Sequence, residues 1–421
     1  MDQKLNYKRT IFIGMAFLGI SAFWQLYDVI VPLILDKTFM IDKTWTGVIM
    51  SLDNVLALFL LPVFGAMSDK VNSRYGRRTP FIFVGTAIAL GGILLIPYAN
   101  NVKHFWIFNI GLATVLLGTA IYRAPAVALM PDLTPKPLRS KANAIINLMG
   151  AVGAVLTLIA IKIFVPKTDH PNYMMVFIFV GLVMLVSFVI LRWKIDENKL
   201  QIKDDEDLEG PVTAGSTKLP KDVNKSFLLI LASIFLWFAA YNGITTAYSR
   251  YALAMWGMHE GDVAMSLMLA TVVAIFSYIP AGIIATKYGR KRTILVGIIL
   301  VTTTYIMGSI LKEFNLLIYI AFAIMGIGWA FINVNSLPMI VEMSKNADIG
   351  KFTGTYYTAS MSAQILTPIL SGFLMDTFGY SILFPYALVF SILSFITMMQ
   401  VRHGDSKLVT KKGLEAFDVE D

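Results

Sequence analysis

A chain of 421 residues that is 57% hydrophobic and 15% charged carries far less charge than the roughly 25% usual in soluble domains. Its apolar residues come in blocks of about 20, the length a helix needs to cross a bilayer core. Barrel strands, which alternate apolar and polar positions, are excluded, and the absence of cysteine excludes disulfides, thiolate ligands and cysteine nucleophiles.

The N-terminal MDQKLNYKRT leads into a run long enough to stay as a first span, with no small-residue cleavage site after a short apolar core. Apolar blocks between charge clusters then predict spans near 10–33, 45–67, 80–98, 105–131, 142–165 and 173–192. A second six follow near 226–249, 263–285, 293–311, 315–340, 352–375 and 380–400. Between them, DENKLQIKDDEDLEGP and the Val-Thr-Ala-Gly-Ser-Thr after it read as a solvated linker. The expected organisation is an all-α integral membrane protein of twelve helices. It comprises an N-terminal six-helix half over 1–193, a linker over 194–224, a C-terminal six-helix half over 225–402 and a tail over 403–421.

The net charge of +8 is distributed unevenly. The N-terminus, the loops after even-numbered spans and the C-terminus hold nearly all the Lys and Arg, whereas the other side has only Lys37, Lys43, Lys103, Lys167 and Lys312. The positive-inside rule makes the basic side cytoplasmic, with both termini there, in a multi-pass cell-membrane protein. Loop placement accounts for the basic charge, so lipid is the expected surroundings and no nucleic-acid partner is implied; nor is an oligomer.

The connector after span two, GAMSDKVNSRYGRRTPF (Gly65–Phe81), has a counterpart after span eight, GIIATKYGRKRT (Gly282–Thr293). Asp132, Lys141 and Thr157 likewise meet Glu342, Lys351 and Thr367 at a constant offset of 210. The two halves therefore read as parallel repeats, an architecture of secondary transporters. Asp69 ends one helix where Arg77–Arg78 start the next, within ion-pair reach, and Asp132 stands at the same end of span four.

Over essentially the whole chain this resembles the major facilitator superfamily, whose loop motif runs Gly, three residues, Asp, Arg or Lys, one residue, then Gly-Arg-Arg or Gly-Arg-Lys. Gly282, Lys287, Gly289, Arg290 and Lys291 fit it, with Thr286 at the acid's place. Gly65, Asp69, Lys70, Gly76, Arg77 and Arg78 fit it with about four residues inserted. That long form, with PAVALMPDL (Pro125–Leu133) and then Arg139, Ala142 and Asn143, is similar to the sucrose carriers of plants and their animal and bacterial relatives. The glycoside–pentoside–hexuronide symporters share a looser version. The resemblance implies that Gly65, Asp69, Gly76, Arg77, Arg78 and Asp132 latch the halves shut on the cytoplasmic side, with Gly289, Arg290 and Glu342 as a weaker counterpart.

Only two carboxylates, Asp28 and Asp53, lie well inside a span, with Arg123 as the one comparably deep base. Such charges are costly in a bilayer and mark function or pairing. All four histidines fall in loops or the tail, leaving the carboxylates as proton carriers. Asp53 has a second reading, since Asp53-Asn54 equally suits a bond to a neighbouring helix. In the superfamily, spans one, four, seven and ten line the cavity, which puts Asp28 and Arg123 on cavity helices. Plant sucrose carriers have their arginine where Val127 stands, one turn from Arg123, and that departure weakens any transfer of sucrose specificity. Melibiose-type carriers have sodium-site acids where Leu61 and Ala57 stand, so proton coupling is favoured over sodium.

Sugars bind through hydrogen bonds and stacking on aromatic rings. Span one offers Trp24, Gln25 and Tyr27; span four, Tyr122; span seven, Trp237, Tyr241 and Asn242. Span ten offers Trp329, Asn333 and Asn335, and span eleven Tyr357 and Gln364. The expected function is proton-coupled symport of a disaccharide or glucoside by alternating access. The alternatives are a same-fold carrier of a drug, nucleoside or lysolipid, and a sugar sensor that does not transport. No metal-ligand cluster, nucleophile–base pair or phosphate loop stands in the sequence, so neither cofactor, metal nor enzymatic activity is expected.

Overall fold

The computed structural model describes residues 5–135, 138–168, 170–200, 220–343 and 349–405. Among them every long element is a helix. The first half comprises α1 (Tyr7–Lys37), α2 (Lys43–Lys70), α3 (Thr79–Ile93), α4 (Leu95–Val102), α5 (Phe105–Asp132), α6 (Arg139–Phe164) and α7 (Met174–Lys194). A short α8 (Glu197–Leu200) follows. The second half comprises α9 (Lys221–Trp256), α10 (Glu260–Tyr288), α11 (Arg290–Ile310), α12 (Leu317–Val341), α13 (Ile349–Phe378) and α14 (Leu383–Gln400).

Where these elements depart from the expected spans, a local cause is visible. The third span breaks at Leu94 into α3 and α4, because Pro97 has no N–H to donate to the carbonyl four residues back. The seventh runs past its expected end at 249 to Trp256, where Gly257 in the left-handed conformation (φ 60°) stops it. Arg250, which looks like a terminating charge in the sequence, is buried inside that helix. Among the described residues, eleven helices are long and apolar enough to cross a membrane. α13 occupies the remaining expected span but carries Tyr356, Tyr357, Ser360, Ser362 and Gln364, a composition too polar to mark it by hydropathy.

Each half repeats one packing device. On α3 and α5, Gly85 and Gly92 face Gly118 and Gly111 so closely that a Cβ on any of them would strike the opposing backbone. On α11 and α12, Gly297 and Gly328 do the same. Small residues let helix backbones approach, and in lipid this close packing is a main source of association. Between the halves, α1 packs on α9, α2 on α13 and α6 on α10. The arrangement is that of two six-helix repeats facing one another across a seam.

Candidate functional site

Three charged side chains lie well inside spanning helices of the first half. Asp28 on α1, Asp53 on α2 and Arg123 on α5 are all half-buried. Asp28 and Asp53 are close enough to act on each other electrostatically. Arg123 interacts in the same way with Asp53 and with Tyr357 on α13, so its field reaches both halves. Its guanidinium stands 5.8 Å from the ring of Trp24, at the range where cation–π attraction acts. Asn54 donates to Asp53 Oδ1 at 2.8 Å, a bond within α2 and not to a neighbouring helix.

Opposite these charges, Tyr241 of α9 stacks on Trp329 of α12 with centroids 3.7 Å apart and an interplanar angle of 11°. Asn242, Gln364 and Gln25 are half-buried, and Asn333 and Tyr357 are exposed. Two indole N–H groups, of Trp24 on α1 and Trp237 on α9, are buried without a partner. Other members of the expected set are tied into packing. Tyr27 donates to the carbonyls of Ile49 and Met50 at 3.3 and 3.2 Å. Tyr122 donates to the Ala16 carbonyl, and Asn335 to that of Phe331 at 2.8 Å.

The loop motif forms a clamp inside the first half. Arg78, only 5% exposed, meets Asp69 at 2.5 Å and Asp132 at 2.8 Å, and donates to Ser68 and to the Gly65 carbonyl. Arg77 joins Asp132 at 2.7 Å. Behind them lies a residue that sequence reasoning left in a solvated linker. Glu197 is 1% exposed and accepts from the N–H groups of Arg77, Arg78 and Thr79 and from the Thr79 hydroxyl, at 2.8–2.9 Å. It caps the start of α3. Gly76 (φ 102°) lets the chain turn there, where a Cβ would collide with that carboxylate. The second half repeats the design with Gly289 (φ 97°), Asp405 accepting from Arg290 N at 2.6 Å, and Arg290 paired with Glu342.

In this conformation the network that the resemblance casts as a latch between the halves holds each half's own loop together. Every ion pair just described joins elements of a single half, because Asp69, Asp132 and Glu197 all belong to the half that supplies the arginines.

A family model for the Major Facilitator Superfamily matches residues 11–270 and 251–419. The chain belongs to the Major Facilitator Superfamily. Membership accords with the long apolar helices of the chain. It is similar to the sucrose transport protein SUC3 of Arabidopsis thaliana, at 27% identity over 33% of this chain and 26% of that one. It is also similar to an isoprimeverose transporter of Lactiplantibacillus pentosus, at 20% identity over 62% of this chain and 56% of the other. The chain thus spans between about a quarter and just over half of these relatives. Among solved structures, the nucleoside transporter NupG (a D323A mutant) superimposes with a TM-score of 0.73 at 13% identity, covering 94% of this chain and 100% of that one. This shows the fold alone.

What the sequence did not reveal in this superfamily member is the seal on the face opposite the basic loops. There the halves are joined directly. Lys37 meets Glu260 at 3.0 Å, and Lys162 meets Asp262 at 2.8 Å. Asp376 of α13 accepts from Thr44 N at 2.7 Å and Lys43 N at 3.1 Å, capping α2 from across the seam. Tyr380 donates to Asp36 at 3.3 Å. Gly47 lies against the Pro368 carbonyl and Gly372 against that of Lys43. The lysine-poor loops were the only sequence signal, and nothing in them names partners 100 to 344 residues away.

Proposed function

We propose that this transporter is a proton-coupled sugar symporter working by alternating access, with both termini cytoplasmic. The observation that carries the reading is the meeting of half-buried Asp28, Asp53 and Arg123 within spanning helices, in electrostatic reach of Tyr357 and of the ring-stacked Tyr241 of the other half. A carboxylate in such a place binds a proton when its neighbouring arginine turns to another partner, and releases it when the arginine returns. Substrate hydroxyls drawing on Arg123, together with the unpartnered indole donors of Trp24 and Trp237, supply that alternation. The two named relatives above transport sugars by their descriptions, which supports the substrate class. With the basic face cytoplasmic, the cross-half seal lies outside, and this conformation opens to the cytoplasm.

The test uses proteoliposomes with a pH-sensitive dye trapped inside, challenged with di- and monosaccharides in potassium and then in sodium. Internal acidification dependent on one class of sugar, and indifferent to sodium, is the expected result. Silence across the sugars, with a response to a nucleoside or lysolipid, would reassign the solute. Sugar uptake driven by sodium without acidification would remove the proton.

A further inference from the structure

On the face opposite the basic loops the two halves line a half-open cavity of about 340 Å³. Its charged lining is Asp36 and Lys37 of α1, Lys167 after α6, Arg250 of α9, and His259 and Glu260 at the start of α10. Arg250 is 3% exposed, and its Nε and Nη1 have no hydrogen-bond partner. A guanidinium carries five donors and keeps its charge under all ordinary conditions, so burial without an acceptor is strongly unfavourable.

The nearby acids are committed elsewhere. Asp36 and Asp376 act on Arg250 only through their fields; Asp36 accepts from Tyr380, and Asp376 holds the first turn of α2. Glu260 takes Lys37 at 3.0 Å and the Tyr173 hydroxyl at 3.3 Å. Three permanent bases therefore line the cavity against two acids, and the base left over is the one with unused donors.

We propose that this cavity is a binding site for a small anion, a halide or a short carboxylate, held by Arg250 with Lys167 at its mouth. A carboxylate suits the fork of the guanidinium, and a halide suits its charge. The walls come from both halves, α1 and the segment after α6 on one side, α9 and α10 on the other. A bound anion therefore bridges the seam and stabilises this conformation from the side away from the transport opening. The site is independent of the identity of the transported solute.

The experiment is thermal unfolding of the purified full-length protein in low-salt detergent buffer, titrated separately with sodium chloride, sodium acetate and sodium sulfate at matched ionic strength. A ligand that binds only the folded state raises the midpoint in a saturable way. The expected result is a saturable rise of several degrees with chloride or acetate that Arg250→Gln abolishes. Lys167→Gln, on an exposed segment where folding is not at stake, should raise the half-saturating concentration several-fold. A larger response to acetate assigns a carboxylate, and a larger one to chloride assigns a halide. A rise that does not saturate, or that is the same in both variants as in the unmodified protein, is a general salt effect and overturns the proposal. Should Arg250→Gln fail to fold, an unchanged titration in Lys167→Gln overturns it by itself.

Discussion

Asp28 sits on a largely buried helix, flanked by Tyr27 and Val29 at 1% exposure each. A carboxylate inside a span costs up to about 2.5–3.5 kcal/mol on insertion scales, and among the described residues no ion pair offsets that for Asp28. Its value has to come from the reaction cycle. Asp28→Asn keeps the shape and the hydrogen-bonding capacity but cannot cycle a proton. The expected outcome in proteoliposomes is loss of uphill sugar accumulation to background while counterflow exchange persists. Uphill uptake that survives would transfer the role to Asp53, the second half-buried acid. Arg123→Gln should instead impair exchange and uptake together, because on the proposed reading the charge that senses substrate is gone. Measuring both modes in both variants separates coupling from recognition.

At the scale of the element, the start of α3 is held by a residue far along the chain. Glu197 collects four donors in a buried place, and a carboxylate at a helix N-terminus is also favoured by the helix dipole. Glu197→Gln leaves some of those donors without a charged acceptor and should cost about 1–3 kcal/mol, read as a lower unfolding midpoint in detergent. Asp405→Asn, which loses a single accepted bond at α11, should lower it less; equal losses would show that the two caps are not organised as the geometry indicates. The comparison also shows what a sequence exposes and what it hides. The glycines and arginines of the loop motif stand close together with a fixed spacing, so their turn and their clamp are readable directly. Glu197 stands in an acidic run that reads as solvated, and its four partners lie some 120 residues earlier. Arg250 misleads for a related reason, since a charge near a span's end resembles a boundary until tertiary packing buries it. α13 mixes Tyr, Ser and Gln among its apolar residues; Tyr356 bonds Ser336 of α12 within its own half, and Tyr357 lies in the field of Arg123. Fold and repeat were legible because they rest on local composition, whereas the seal rests on pairs that only the folded seam brings together.

At the scale of the whole molecule, the seal has a consistent polarity. Lys37, Lys43 and Lys162 come from the first half, and Glu260, Asp376 and Asp262 answer from the second. A carrier that alternates must break these pairs once per cycle, so each has to be weak. The Lys162–Asp262 pair, with side chains 37% and 22% exposed, belongs to the class worth about 0.2–1 kcal/mol. Removing it should move the balance between the two conformations by up to about fivefold, and replacing attraction by repulsion should do more. The native absence of cysteine provides a clean reporter. Asn333→Cys, exposed on α12 towards the basic face, is expected to react readily with a thiol reagent in the conformation described and slowly when that face closes. In that background Lys162→Asp should slow labelling several-fold by setting two acids against each other and opening the far side. Adding Asp262→Lys restores an ion pair of reversed sense and should restore the rate. Slowing in the single variant with recovery in the double variant identifies the pair as a gate whose strength sets the resting conformation. If both variants label at the original rate, the seal is held by the close helix contacts at Gly47 and Gly372, and the charges only decorate it.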